Sequence, residues 1–223
     1  MTRFWLQATE VARKDLMIEG RAGEVLHITI PFGAVALLLL PLAVGTDLTL
    51  LENIGAGLYW VIVLLFGMLV AFRQTADEGP AQRDMLAMMM VDPVARFAGK
   101  AAATAALLAL FEAALLPVVV VLYDPVPVAG WGWVVVAGIL VAIGMAMIGT
   151  LAASVTAGLR TRNTLAPLLV APLSLPLLVG ATQVYNSLLG GESPFVFLVL
   201  LVAVDLGLAI VGVLTSPIME ESG

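Results

Sequence analysis

The sequence predicts an all-α integral membrane protein with six transmembrane helices, on three observations. Of its 223 residues, 61% are hydrophobic and 12% charged, with a mean hydropathy of +1.09; soluble chains average about 45–50% apolar and about 25% charged. Six continuous apolar runs fall at about 26–45, 54–72, 101–122, 133–158, 165–185 and 195–215, and a hydrocarbon core takes about 20 such residues in a helix. All ten lysines and arginines lie at the N-terminus or in alternate connections. Continuous runs argue against a transmembrane β-barrel, whose strands alternate in segments of about ten residues. High hydropathy excludes disorder, and a net charge of -6 without a basic cluster argues against nucleic-acid binding. With no cysteine, disulfides, thiolate metal sites and CxxCH haem attachment are excluded.

Residues 1–25 precede the first run. Trp5, Ala8, Ala12 and Leu16 recur at helical spacing, with Arg3, Gln7, Glu10 and Lys14 opposite and Glu10 placed to pair with Lys14. This pattern predicts an interfacial helix with its tryptophan at headgroup depth. Two roles stand open for it: a membrane-surface anchor, or an elbow that also braces a partner. A cleavable signal peptide is not expected, because the first run is of full length, begins late and lacks an AxA-type site. His27, at the start of that run, reads as an interfacial residue rather than a haem ligand.

Basic connections stay cytoplasmic. The N-terminal segment holds Arg3, Arg13, Lys14 and Arg21; the second-to-third connection holds Arg73, Arg83, Arg96 and Lys100; the fourth-to-fifth holds Arg160 and Arg162. The other connections carry only Asp47, Glu52, Asp124 and Glu192. Six spans with both termini cytoplasmic satisfy this distribution.

The connection 73–100 contains an apolar segment too short to span. After the Gly79-Pro80 turn, Asp84, Met85, Leu86, Ala87, Met88, Met89, Met90 and Val91 lead to Asp92-Pro93, which suit the N-cap and first position of the next helix. Methionines make an adaptable apolar surface. The segment, about 81–92 in all, either packs on this chain's own helix ends or is a short cytoplasmic helix offered to a partner.

Two carboxylates fall inside spans, Glu112 in the third and Asp205 in the sixth. A charge at mid-bilayer costs at least about 2.5–3.5 kcal/mol on insertion scales. Both are therefore expected to face the bundle or a polar cavity, either in a functional role or hydrogen-bonded to a neighbouring helix. Small-residue ladders, Ala101/Ala105/Ala109/Ala113 and Ala146/Thr150/Ser154/Gly158, mark expected close helix contacts. Trp131 and Trp133 suit an outer aromatic belt. Pro167, Pro172 and Pro176 interrupt the fifth span, which neighbouring groups must compensate. GxxxxGK[ST], HExxH and GxSxG are absent, so the chain is expected to perform no covalent chemistry and to hold no metal.

These residues, taken in order, resemble the haem exporter protein B (CcmB) family. The resemblance rests on Lys14, Asp15 and Leu16 followed by Glu19, Arg21 and Glu24, on Trp60, Arg73, Glu78, Leu86, Pro93 and the Gly99-Lys100 pair, and on Leu159-Arg160 through Pro167, Pro172 and Pro176. The sequence departs from the family pattern at Pro80 and in its acidic tail (Glu220, Glu221). The resemblance implies a single permease domain of ABC-2-type architecture in a bacterial or archaeal inner membrane, with segment 84–91 as the coupling helix. It implies a non-catalytic subunit of the cytochrome c maturation ABC transporter. The implied partners are a cytoplasmic ATP-binding subunit carrying ATP and magnesium, a haem-handling membrane subunit, a small single-span subunit and a second copy of this chain. Haem would be handled by the complex, with ATP hydrolysis serving release of the haem-loaded chaperone or haem export. The residues alone leave two alternatives: an ABC-2 permease exporting a lipid, drug or glycan, and a secondary transporter coupled to protons through Glu112 and Asp205.

Overall fold

The computed structural model describes residues 2–45, 48–76, 91–126, 128–156 and 162–221. They form seven helices: α1 (Thr2–Ala22), α2 (Glu24–Val44), α3 (Leu48–Ala76), α4 (Pro93–Tyr123), α5 (Trp131–Val155), α6 (Arg162–Leu189) and α7 (Phe195–Glu221). Five contain stretches long and apolar enough to cross a bilayer: Ile54–Arg73 in α3, all of α4 and α5, Leu168–Leu189 in α6 and Phe195–Pro217 in α7. The α1–α2 pair, bent by 74°, is a sixth candidate. The chain is thus an all-α, multi-pass membrane protein.

The bend falls at Gly23, whose φ of 62° lies in the left-handed region that a side chain disfavours. Its N–H donates to the Glu19 carbonyl at 2.6 Å, closing α1. Its own carbonyl accepts from the His27 N–H and lies 2.6 Å from His27 Nδ1, so that ring seals the junction. His27 is exposed.

Helix α4 begins as its sequence dictates. Asp92 is extended (φ -61°, ψ 124°), its Oδ1 accepts from the Val94 N–H at 2.9 Å, and Pro93 takes the first turn, where no N–H is needed. The helix therefore starts eight residues before the apolar run at 101, and Arg96 and Lys100 lie within it. The hydropathy boundary marks where cations stop, whereas the helix boundary is set by the cap. Helix α5 ends at Val155, three residues short of the expected 158.

Helix α5 is the most buried of the spans and packs against α3, α4, α6 and α7. Its glycines admit those neighbours. A Cβ on Gly149 would stand 2.5 Å from Ala71 Cβ of α3, and one on Gly144 would stand 2.5 Å from both Leu177 Cδ1 of α6 and Asp205 Oδ1 of α7. Of the two expected ladders, Ala146 and Thr150 are buried, but Ala113 is exposed while Ala101 alone of its set is buried. A strict four-residue repeat drifts around a helix of 3.6 residues per turn, so the α4 ladder leaves the interface by its fourth member.

Prolines interrupt more helices than α6. Pro41 of α2 has no N–H for the Leu37 carbonyl, and the Tyr123 hydroxyl of α4 donates to that oxygen at 2.9 Å. Pro217 of α7 likewise strands the Val213 carbonyl, which accepts from Ser216 Oγ at 3.3 Å. Both are local repairs of the kind that lets a spanning helix tolerate proline.

Candidate functional site

Two regions hold the residues that bear on function: the junction of α1 with the start of α4, and the polar groups buried among α3, α4, α5 and α7.

At the junction, α1 lies along α4. Ala8 is buried, and Gly99 allows the approach: a Cβ there would stand 2.5 Å from the Ala8 carbonyl oxygen and 2.7 Å from Val11 Cβ. The Asp92 N–H donates to Gln7 Oε1 at 3.3 Å, tying α1 to the N-cap of α4. Lys14 Nζ is 3.1 Å from Asp15 Oδ1. Glu19 is buried, as is Lys100 next to Gly99. Arg21 sits in the last turn of α1, where a cation complements the helix dipole. The apolar side chains Trp5, Leu6, Met17 and Ile18 stay exposed. Packing between α1 and α4 thus brings Gln7, Ala8 and Val11 against Asp92 and Gly99. Trp60 is elsewhere, buried in α3 with its ring 4.9 Å edge-on from Tyr59, and Arg73 closes that helix. Glu78 and the segment Asp84, Met85, Leu86, Met88, Met89 and Met90 lie outside the described residues; Val91 and Asp92 are their visible continuation into α4.

In the bundle, Glu112 and Asp205 are both buried, facing helices rather than lipid. Glu112 Oε1 has no hydrogen-bond partner, and Oε2 lies 3.0 Å from the place a Cβ on Gly138 would take. The Tyr59 hydroxyl donates to the Glu112 backbone carbonyl at 3.2 Å. Asp205 rests against Gly144, with neither carboxyl oxygen partnered. Gly138 and Gly144 are six residues apart on α5, about 9 Å along its axis, so the carboxyls occupy two levels of one helix rather than a shared site. Thr104 Oγ1 is a further buried polar atom without a partner. The sequence reading did not single out Thr104, Gly138 or Gly144. Their signal was present as a lone hydroxyl on the third span and paired glycines on the fourth.

At the start of α5, Tyr185 buries its ring 6.5 Å from Trp131 and donates to the Val126 carbonyl at 3.4 Å. Trp131 and Trp133 are exposed. No group of three or more His, Asp or Glu able to hold a metal ion occurs among the described residues.

A bundle of apolar helices around a glycine-notched central helix, with carboxyls but no metal-holding cluster among the described residues, defines a multi-pass membrane protein. Residues 6–219 match the family model described as CcmB protein, nearly the whole chain. The chain is 31% identical over 194 residues to heme exporter protein B of Paracoccus denitrificans, covering 86% of this chain and 88% of that one. It is also 29% identical to heme exporter protein B of Haemophilus influenzae, with 80% of each chain covered. The corresponding protein of Rhodobacter capsulatus is 31% identical, with 74% of this chain and 76% of that one covered. The chain belongs to the CcmB family.

Proposed function

We propose that this chain is the membrane permease subunit of an ABC transporter for cytochrome c biogenesis, acting in haem export or in release of a haem-loaded chaperone. The observation that carries the reading is the family match, which runs from residue 6 to residue 219. It is supported by relatives named for haem export and matched over at least three quarters of their own length.

In this reading the chain is one permease domain of ABC-2 type with six spans, both ends cytoplasmic, and α1 as the elbow helix. ATP with magnesium binds a separate cytoplasmic subunit, and that subunit docks on Asp84, Met85, Leu86, Met88, Met89 and Met90. The transporter is completed by a second copy of this chain, a haem-handling membrane subunit and a small single-span subunit. The permease works mechanically: closure of the ATP-binding subunits pushes on the segment before Asp92, and the rigid start of α4 passes the displacement to α1 and into the bundle. The placement of the N-cap directly after the proposed docking segment supports this route.

The test replaces Met85, Leu86 and Met89 with aspartate and purifies the complex in mild detergent. The ATP-binding subunit is expected to be lost while the permease stays in the membrane. Undiminished co-purification rejects the docking assignment. A complex containing no cytochrome-maturation subunits rejects the wider reading.

A further inference from the structure

Among the described residues, four buried side-chain oxygens have no hydrogen-bond partner: Thr104 Oγ1, Glu112 Oε1, and both oxygens of Asp205. Three of them belong to residues that the helix registers bring to one level. The Phe97 ring of α4 meets the position of Gly212 in α7. Thr104 lies seven residues after Phe97, and Asp205 seven before Gly212. Seven residues are two turns, about 10 Å, with a drift of only about 20°, and the two helices run in opposite directions. Thr104 and Asp205 therefore lie on the same faces as the Phe97–Gly212 contact and at the same depth. A second register agrees. Glu112 meets Gly138 and Asp205 meets Gly144 on α5, and stepping six residues down α4 from Glu112 reaches position 106, within about one turn of Thr104.

An ionised carboxylate is costly at this depth unless a cation or several donors face it. Helix α5 has no titratable side chain anywhere along its length, and α6 has only Arg162 and Tyr185, near its two ends. On α4 the titratable groups nearest to Thr104 are Lys100, one turn toward the helix start, and Glu112, two turns beyond. Those of α7 other than Asp205 are Glu220 and Glu221 at its far end. Leu177 of α6 and Gly144 of α5 form the apolar wall against the carboxyl.

We propose that Asp205 and Thr104 form a buried proton-binding site between α4, α5 and α7, in which Asp205 is a neutral carboxylic acid joined to the Thr104 hydroxyl through one water. The acid supplies one O–H donor and a carbonyl acceptor, the threonine one donor and two acceptor lone pairs, so a single water completes a closed set of hydrogen bonds. The site rests on helix packing alone and holds whichever subunits surround the chain.

The test uses the full chain in lipid nanodiscs, with Glu112→Gln throughout so that Asp205 is the sole carboxyl inside the spans. Infrared spectra are expected to show the C=O stretching band of a neutral carboxylic acid, lost in Asp205→Asn. The band should move to higher frequency in Thr104→Val, which removes a hydrogen bond from the acid, and return in Thr104→Ser. Dicyclohexylcarbodiimide, which adds to protonated carboxyls in apolar surroundings, should attach to Asp205 in the otherwise wild-type chain, as read by peptide mass. Absence of the neutral-acid band, as an ion pair between Asp205 and Lys100 would give, overturns the proposal. A band unmoved by Thr104→Val overturns the part assigned to Thr104.

Discussion

Removing the Tyr123 hydroxyl isolates how a proline-interrupted membrane helix is repaired. Pro41 cannot donate to the carbonyl four residues earlier, so the Leu37 oxygen relies on Tyr123, 2.9 Å away, in a place where both residues are wholly buried. Tyr123→Phe keeps the ring and strands the carbonyl. An unsatisfied buried acceptor costs about 1–3 kcal/mol in soluble proteins, while hydrogen bonds between membrane helices average about 0.6 kcal/mol and reach about 1.7. The complete burial of both residues places this bond in the upper part of the membrane range, about 1–1.5 kcal/mol. The bond to Leu37 is conditional on the proline. In Pro41→Ala the alanine N–H returns to the Leu37 carbonyl, and Tyr123→Phe should then cost only a few tenths of a kcal/mol, leaving a coupling of about 1 kcal/mol between the two sites. Reversible unfolding in mixed detergent micelles, with all four proteins of the cycle, measures it. Equal costs of Tyr123→Phe in the two backgrounds would refute the repair.

Further outcomes follow from the close contacts. Gly99→Val should lift α1 off α4, because its Cβ meets the Ala8 carbonyl and not a movable side-chain end; overpacking of this kind costs about 1–3 kcal/mol, and trypsin cleavage at Arg13 should accelerate. Gly144→Ala should be borne within about 1.5 kcal/mol, because Leu177 and Asp205 can rotate away, whereas Gly144→Val should cost about 3 kcal/mol; thermal loss of the monodisperse peak in size-exclusion chromatography ranks them. Asp92→Ala removes the cap on Val94, costing about 1 kcal/mol, and should speed hydrogen exchange of the first-turn amides of α4 about fivefold.

The apolar spans were legible because length and composition alone define them, and the positively charged connections supplied the expected sidedness without any knowledge of packing. The α4 boundary was half legible. The Asp92-Pro93 cap was read correctly, yet the span was placed from 101 because hydropathy stops at Lys100 while the backbone does not. Partnerships between helices were the illegible part. Nothing local to Ala113 says that it faces outward, and nothing local to Gly99 says that Ala8 lies on it, since both depend on register between segments distant in sequence. The carboxyls show the same division. Their burial followed from the cost of charge in lipid, but their position over Gly138 and Gly144 required the fold. The answer to Pro41 was equally non-local, since it comes from Tyr123, 82 residues later.

The central helix also dictates an order of assembly during synthesis. Helix α5 leaves the ribosome before the elements that fill its deepest notch, because Leu177 and Asp205 arrive only with α6 and α7. Until then the groove at Gly144 lacks both of these neighbours, and Asp205 itself must enter the bilayer on α7, after α5 and α6. A nascent chain halted before Phe195 would hold most of its apolar length in the membrane yet lack the piece that completes its interior, giving quality-control proteases a defined difference between unfinished and finished molecules.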